Sequence, residues 1–255
     1  MRICLLASGS KGNSLLVESG QTRILIDAGL SARELRKRLE LVGVDPASLN
    51  ALLVTHEHTD HIRGLGPLVR QLDLPVYLQT DLARKLPDVG KPDCVHEFTA
   101  GEEFSVNDLT IRPFAITHDS LAPVGFTLSG ELGKVGVATD LGISTRLVTE
   151  CLQGCRALVL ETNHDEEMLR DGPYPWSLKQ RVRSNQGHLS NRACGSLLQD
   201  LFWQGLDTVL LGHLSETNNR PELALDAVNQ VLGKQNVCSP EVIVGRQHMP
   251  MMWAA

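Results

Sequence analysis

The chain has 255 residues, 42% of them hydrophobic but only 4% aromatic, so it can bury a sizeable and mainly aliphatic core. Its formal net charge of −6 excludes a global basic field, so any nucleic-acid binding has to rest on local basic patches or on metals. Cys4, Cys94, Cys151, Cys155, Cys194 and Cys238 form no Cys-x-x-Cys pair, and no apolar run reaches the length of a signal peptide or a membrane span. The expectation is a soluble cytoplasmic chain with reduced thiols and no membrane association.

In chain order, short apolar runs separated by Gly- and Ser-rich turns predict strands over 3–7, 15–18 and 23–27. A helix over 31–41 follows, with Ser31 as N-cap and Glu34 three residues on. Next come a buried strand over 52–55, a helix over 61–72 that stops before Pro75, and a strand over 76–79. The middle of the chain carries strands over 103–106, 109–116, 125–129 and 134–139, a helix over 144–152 and a strongly apolar strand over 157–161. The last third is mostly helical, over 165–170, 177–183, 191–202 and 222–232, with strands over 208–211 and 241–244. The apolar tail from Met249 to Trp253 reads as a frayed terminus, or as a segment that docks on a partner subunit. Strands followed by helices, twice over and without a long linker, predict one α+β domain over 1–255, with two sheets between helical layers.

The stretch Thr55-His56-Glu57-His58-Thr59-Asp60-His61 follows the buried strand directly. Residues two apart do not share a helix face, so His56 and His58 chelate together only from an extended backbone. Asp60 and His61 diverge, which suits a second metal beside the first. Imidazoles with a carboxylate suit zinc, and also iron, manganese or nickel. His118, Asp140 and His213 each sit just past the end of an apolar strand, where side chains can converge at one sheet edge.

His-x-His-x-Asp-His after a strand, with a later His, Asp and His, resembles the metallo-β-lactamase superfamily. The segments Ser8-Gly9-Ser10-Lys11-Gly12-Asn13-Ser14, Glu161-Thr162-Asn163-His164-Asp165, Gly172-Pro173-Tyr174-Pro175-Trp176, Gly187-His188-Leu189-Ser190-Asn191 and Gly212-His213-Leu214-Ser215 narrow the likeness. Together they resemble the bacterial YycJ/WalJ branch near the RNase Z group, over roughly residues 1–245. The resemblance implies an αββα four-layer sandwich with two divalent ions, Zn2+ or Mn2+. It implies that His56, His58 and His118 hold one ion, that Asp60, His61 and His213 hold the other, and that Asp140 bridges them. Asp27 would orient the cluster through hydrogen bonds. No counterpart of the long arm with which RNase Z grips tRNA is seen, so tRNA 3′-end processing is not expected.

The activity so implied is a binuclear phosphodiesterase on nucleic acid, DNA in preference to RNA, with 5′→3′ exonuclease polarity and a place in DNA repair. Asp60 or Asp140 would steer the proton of the attacking water. His188, beside the Ser190-Asn191 helix start, would face the scissile phosphate with Ser190. Lys11 in the Gly-rich loop is a further phosphate candidate, and His164 is a catalytic candidate or a hydrogen-bonded structural residue. The basic runs Arg33, Arg36, Lys37 and Arg38, and Lys179, Arg181 and Arg183, are either solvated helix faces or tracks for a nucleic-acid backbone. A homo-oligomer and repair-protein partners are further expectations. The rival readings are a thioester or lactone hydrolase of the glyoxalase II-like type, which shares the ligands, and a non-catalytic metal-bound regulatory protein.

Overall fold

In the computed structural model, residues 1–86, Val89 and 91–255 are described. The first sheet begins with an antiparallel meander of β1 (Arg2–Ala7), β2 (Ser14–Ser19) and β3 (Thr22–Ile26). It continues in parallel through β4 (Ala51–Leu53), β5 (Val76–Gln79) and β6 (Val95–Phe98). The helices α1 (Ala32–Leu41), α2 (Thr59–Ile62), α3 (Leu65–Leu72) and α4 (Thr80–Lys85) make its crossovers.

The second sheet repeats the plan. β7 (Phe104–Val106), β8 (Leu109–Ala115), β9 (Val124–Gly130) and β10 (Gly133–Ala138) pair antiparallel. β11 (Ala157–Glu161), β12 (Thr208–Gly212) and β13 (Glu241–Val244) then extend the sheet in parallel. Its helices are α5 (Arg146–Leu152), α6 (Glu166–Asp171), α7 (Trp176–Val182), α8 (Asn191–Asp200) and α9 (Pro221–Leu232). A last strand, β14 (Met251–Ala254), returns to the first sheet and pairs with β1.

The apolar strands are buried on both faces, which is why they read as continuous runs rather than alternating ones. In β1, Ile3 and Leu5 face the other sheet, whereas Cys4 and Leu6 face α1 and α3. In β11, Ala157 and Val159 point between the sheets, while Leu158 and Leu160 pack with Leu197 and Leu198 of α8. The period of two thus builds three apolar layers, one between the sheets and one under each helical layer.

Strand direction decides where the chemistry can gather. β1, β3 and β4 run the same way in the first sheet, and β8, β10, β11 and β12 do so in the second. Every candidate ligand follows the carboxyl end of one of these strands.

Two expectations need correction, and two elements were not foreseen. The single helix over 61–72 is two, α2 and α3, broken at Gly64. There the loop after β3 passes so close that a Cβ would lie 2.1 Å from Leu30 O, and the Gly64 N–H donates to Ala28 O at 2.8 Å. The tail is not frayed: β14 runs along β1, with Trp253 only 8% exposed in the core between the sheets. β6 and α4 were not foreseen, because β6 is an edge strand with polar His96 and Glu97 at its centre and α4 is little more than a turn. Among the described residues no helix is long and apolar enough to cross a membrane.

Candidate metal centre

The strand ends turn sharply into the site. Asp27, Asp140 and His213 all have left-handed backbones, with φ of 61°, 57° and 55°. Such conformations disfavour a side chain, and they persist where surrounding structure over-determines them, most often at functional sites. Past β4 no helix or strand forms before His58, the extended residue that precedes α2 with φ −63° and ψ 144°. His56 and His58 therefore reach the same side before the helix turns Asp60 and His61 inward. Gly29 makes room for this segment, since a Cβ there would lie 1.7 Å from Asp60 O.

Two clusters of inward-facing atoms result. In the first, His58 Nδ1 lies 3.2 Å from His118 Nε2, and the His56 ring is 4.6 Å from that of His58 and 5.0 Å from that of His118. In the second, His61 Nε2 lies 3.6 Å and His213 Nε2 3.4 Å from Asp60 Oδ2. Asp140 stands between them, its Oδ1 3.7 Å from His118 Nε2 and 3.5 Å from His213 Nε2, and its Oδ2 3.1 Å from His61 Nε2. Two ligands each about 2.0–2.1 Å from a tetrahedral ion are about 3.3 Å apart, so these spacings suit cation binding.

The donor set fits a divalent cation on its own terms. His56 Nε2 and Asp140 Oδ2 are buried without a hydrogen-bond partner, a cost that a shared cation removes. The opposite ring nitrogens are engaged. His61 Nδ1 donates to Asp27 Oδ2 at 2.7 Å, His213 Nδ1 to Glu161 Oε1 at 2.9 Å, His118 Nδ1 to Gly187 O at 3.0 Å and His56 Nδ1 to Thr55 Oγ1 at 3.0 Å. Each such bond fixes the ring's orientation and aims the other nitrogen at the cluster.

Charge agrees with geometry. Burial alone would lift the Asp140 carboxyl, but His213 and His61 outweigh it and hold Asp140 well below the usual carboxylate range. Burial would push His61 down, yet Asp140 and Asp27 hold it up at about 10. Burial drives His56 well below the usual imidazole range, with His61 adding repulsion. The site thus combines a buried anionic carboxylate with a neutral, unpartnered imidazole nitrogen.

Sequence reasoning quoted Glu161 in a motif but gave it no role. Fully buried at the end of β11, it accepts from Leu141 N at 2.7 Å and Leu189 N at 3.1 Å, and binds His188 Nδ1 at 2.8 Å as well as His213. Burial opposes its charge, but His188 and His213 keep it ionised, at about 2. A lone acid closing the apolar strand Ala157–Glu161 was the signal. Thr55 and Asn13 were also missed. Thr55 donates to both Asp27 oxygens, from N and from Oγ1, at 2.8 Å each, and Asn13 Nδ2 lies 3.3 Å from Asp60 Oδ2.

The clusters open into a pocket of about 210 Å³ lined by Asp60, Asp140, Tyr174, Arg181, His188 and His213, among others. His188 lines it. Lys11, Ser190 and His164 do not line it. Lys11 is exposed and pairs with Glu216 at 2.7 Å. Ser190 caps α8 through Ala193 N at 3.2 Å and donates to Glu166 at 3.1 Å. His164 is buried behind the pocket, where burial pushes it down to about 4. Of the first basic run, Arg38 is buried and donates to Leu6 O and Gln247 O at 2.8 Å each, so it braces the first sheet.

Comparison with known proteins agrees with this geometry. A family model described as the beta-lactamase superfamily domain matches residues 22–213. The exodeoxyribonuclease YycJ of Bacillus anthracis is 35% identical over 235 residues, covering 91% of this chain and 89% of that protein. The exodeoxyribonuclease WalJ of Streptococcus pneumoniae is 35% identical over 233 residues, covering 89% and 87%. Among solved structures, the metallo-beta-lactamase fold protein YhfI from Bacillus subtilis superposes with a TM-score of 0.72 and 18% identity, covering 99% of each chain. The two share a fold.

Proposed function

The chain belongs to the beta-lactamase superfamily, and from that premise we propose that it is a binuclear phosphodiesterase acting on nucleic acid, with 5′→3′ exonuclease action on DNA. The observation that carries the reading is Asp140, placed between two clusters of inward-facing histidine nitrogens with His188 and Arg181 on the same pocket wall. His56, His58 and His118 hold one divalent ion, Zn2+ or Mn2+. Asp60, His61 and His213 would hold the second, with Asp140 placed between the two groups. Ions held there supply Lewis acidity toward a phosphoryl oxygen and lower the pKa of water toward 7.

The protein's own groups do the rest. Arg181, pinned by Asp119, presents a cation to the phosphodiester at the pocket wall. Asp60, 24% exposed at its side chain against 2% for Asp140, is the more exposed of these two pocket carboxylates and takes the proton of the attacking water. As the water oxygen bonds to phosphorus, the bond from phosphorus to the leaving oxygen breaks. His188, its Nδ1 held by Glu161, delivers a proton from Nε2 to that oxygen. A polar pocket with a fixed arginine and histidine favours an anionic substrate over a thioester. DNA is preferred to RNA because both of the more similar relatives named above are exodeoxyribonucleases.

The test is hydrolysis of 5′-labelled single- and double-stranded DNA, matched RNA and a thioester by stripped protein with Mn2+ or Zn2+ restored. Metal-dependent release of nucleotides from the 5′ end of DNA, abolished in Asp60→Ala and about 10²–10⁴-fold slower in His188→Ala, is the expected result. Turnover of the thioester with no polymer cleaved would overturn the nuclease reading, and no turnover at all would favour a regulatory protein.

A further inference from the structure

The helix α7 has two chemically distinct faces. Leu178, Arg181 and Val182, with Tyr174 just before the helix, line the metal pocket. Trp176, Lys179, Gln180 and Arg183 line a separate groove of about 380 Å³. At about 100° per residue, positions 176, 179, 180 and 183 fall on one stripe, and 178, 181 and 182 on nearly the opposite one. Trp176 is 67% exposed, whereas Trp203 donates its indole N–H to Cys155 O and Trp253 lies in the core. An indole left in water beside two cations is unlike the other tryptophans, and among the described residues nothing in the hydrophobic core clusters uses it.

The charge of this stripe is also available. Among the described residues no carboxylate pairs with Arg183 or Lys179 at ion-pair distance, and Lys179 Nζ donates to the backbone oxygen of Arg170 at 2.7 Å. Arg181, on the pocket face, is tied to Asp119 next to His118. The stripe is thus a local basic patch on an acidic chain, continuous through one helix with the pocket where a phosphate is to be cleaved.

We propose that the Trp176–Lys179–Arg183 face of α7 is a docking track for a single nucleic-acid strand: a base stacks on the Trp176 indole, and Lys179 and Arg183 hold the flanking phosphates. The inference rests on the nucleic-acid reading of the metal pocket and adds the surface by which the strand is held beyond it. Aromatic stacking with backbone charge is the general means of gripping single strands without reading sequence. A helix is about 10 Å across and stacked nucleotides advance about 3.4 Å each, so the indole meets a base about three nucleotides from the cleaved bond.

That spacing gives the experiment its control. KM and kcat of the metal-loaded protein are measured on a dinucleotide and on a long single-stranded oligonucleotide, for the wild type, Trp176→Ala, Trp176→Phe and Lys179→Gln/Arg183→Gln. Trp176→Ala is expected to raise KM for the oligonucleotide about fivefold to a hundredfold, with the dinucleotide constants unchanged and most of the loss restored in Trp176→Phe. The double variant is expected to lower the dependence of log KM on log salt by about 0.7 per lost phosphate contact. Equal effects on dinucleotide and oligonucleotide would make Trp176 a support of the pocket and overturn the proposal, as would unchanged oligonucleotide kinetics in Trp176→Ala. Neither result touches the proposed nuclease function. Failure of the wild type to cleave either substrate would overturn both together.

Discussion

Glu161 sets the positions of two histidines at once, with one oxygen shared between His188 Nδ1 and His213 Nδ1 and the other taken by two backbone N–H groups. Groups of this kind orient a cluster's donors, and their loss commonly costs 10–100-fold in metal affinity or activity. Glu161→Gln is therefore expected to weaken metal retention by about that factor while the circular dichroism spectrum stays native; unchanged metal titration would contradict the role. His164 gives a pH prediction instead of a catalytic one. Burial holds it at about 4 against an ordinary 6.5. Between those values the unfolded chain takes up a proton that the folded chain refuses, so His164 subtracts stability as pH falls from 6.5 toward 4 and has no such effect above that window. In His164→Leu, unfolding free energy relative to wild type is expected to rise as pH is lowered through this range, by at most about 1.4 kcal/mol per unit. A difference that does not change with pH would contradict this. The residues of the candidate metal centre were legible from sequence because His56 to His61 is a local motif and the others mark strand ends. Glu161 and Thr55 were not, because their partners are set by tertiary contact: Glu161 meets His213 only when β11 lies beside β12.

At the scale of elements, the strands were legible and their ends less so. Apolar runs buried on both faces announce themselves whatever their partners. The break between α2 and α3 did not, since Gly64 is needed only because the loop after β3 crosses it. The tail misled for the same reason: β14 has value only once β1 offers it an edge. With Trp253 packed between the sheets, Trp253→Ala is expected to destabilise the protein by about 3–5 kcal/mol. Denaturant unfolding checks this, and a loss below about 1 kcal/mol would mean the strand is dispensable. Lys11 and Ser190 looked like phosphate ligands because Gly-rich loops and helix starts bind anions in general. In this chain Glu216 occupies the lysine, and the serine caps α8.

For the whole molecule, the doubled plan of meander and parallel extension is what makes the site. Two sheets face each other so that the carboxyl ends of β3 and β4 meet those of β8, β10, β11 and β12 along one edge. Neither half carries the full donor set: His56, His58, Asp60 and His61 come from the first half, and His118, Asp140 and His213 from the second. The chain is a metal-dependent hydrolase of the metallo-β-lactamase fold, and its centre couples the halves. Binding that occurs only in the folded state stabilises it, so chelation is expected to lower the melting temperature as well as to stop turnover.

Metal stoichiometry is decisive when set against activity: stripped protein is titrated with Mn2+ or Zn2+, with bound metal and hydrolysis of DNA followed together in wild type and Asp140→Ala. Two ions per chain, hydrolysis that rises with the second, and loss of both tight binding and turnover in the variant are expected. One ion per chain at full activity, or an Asp140→Ala protein that still binds two and hydrolyses DNA, would contradict the two-metal reading.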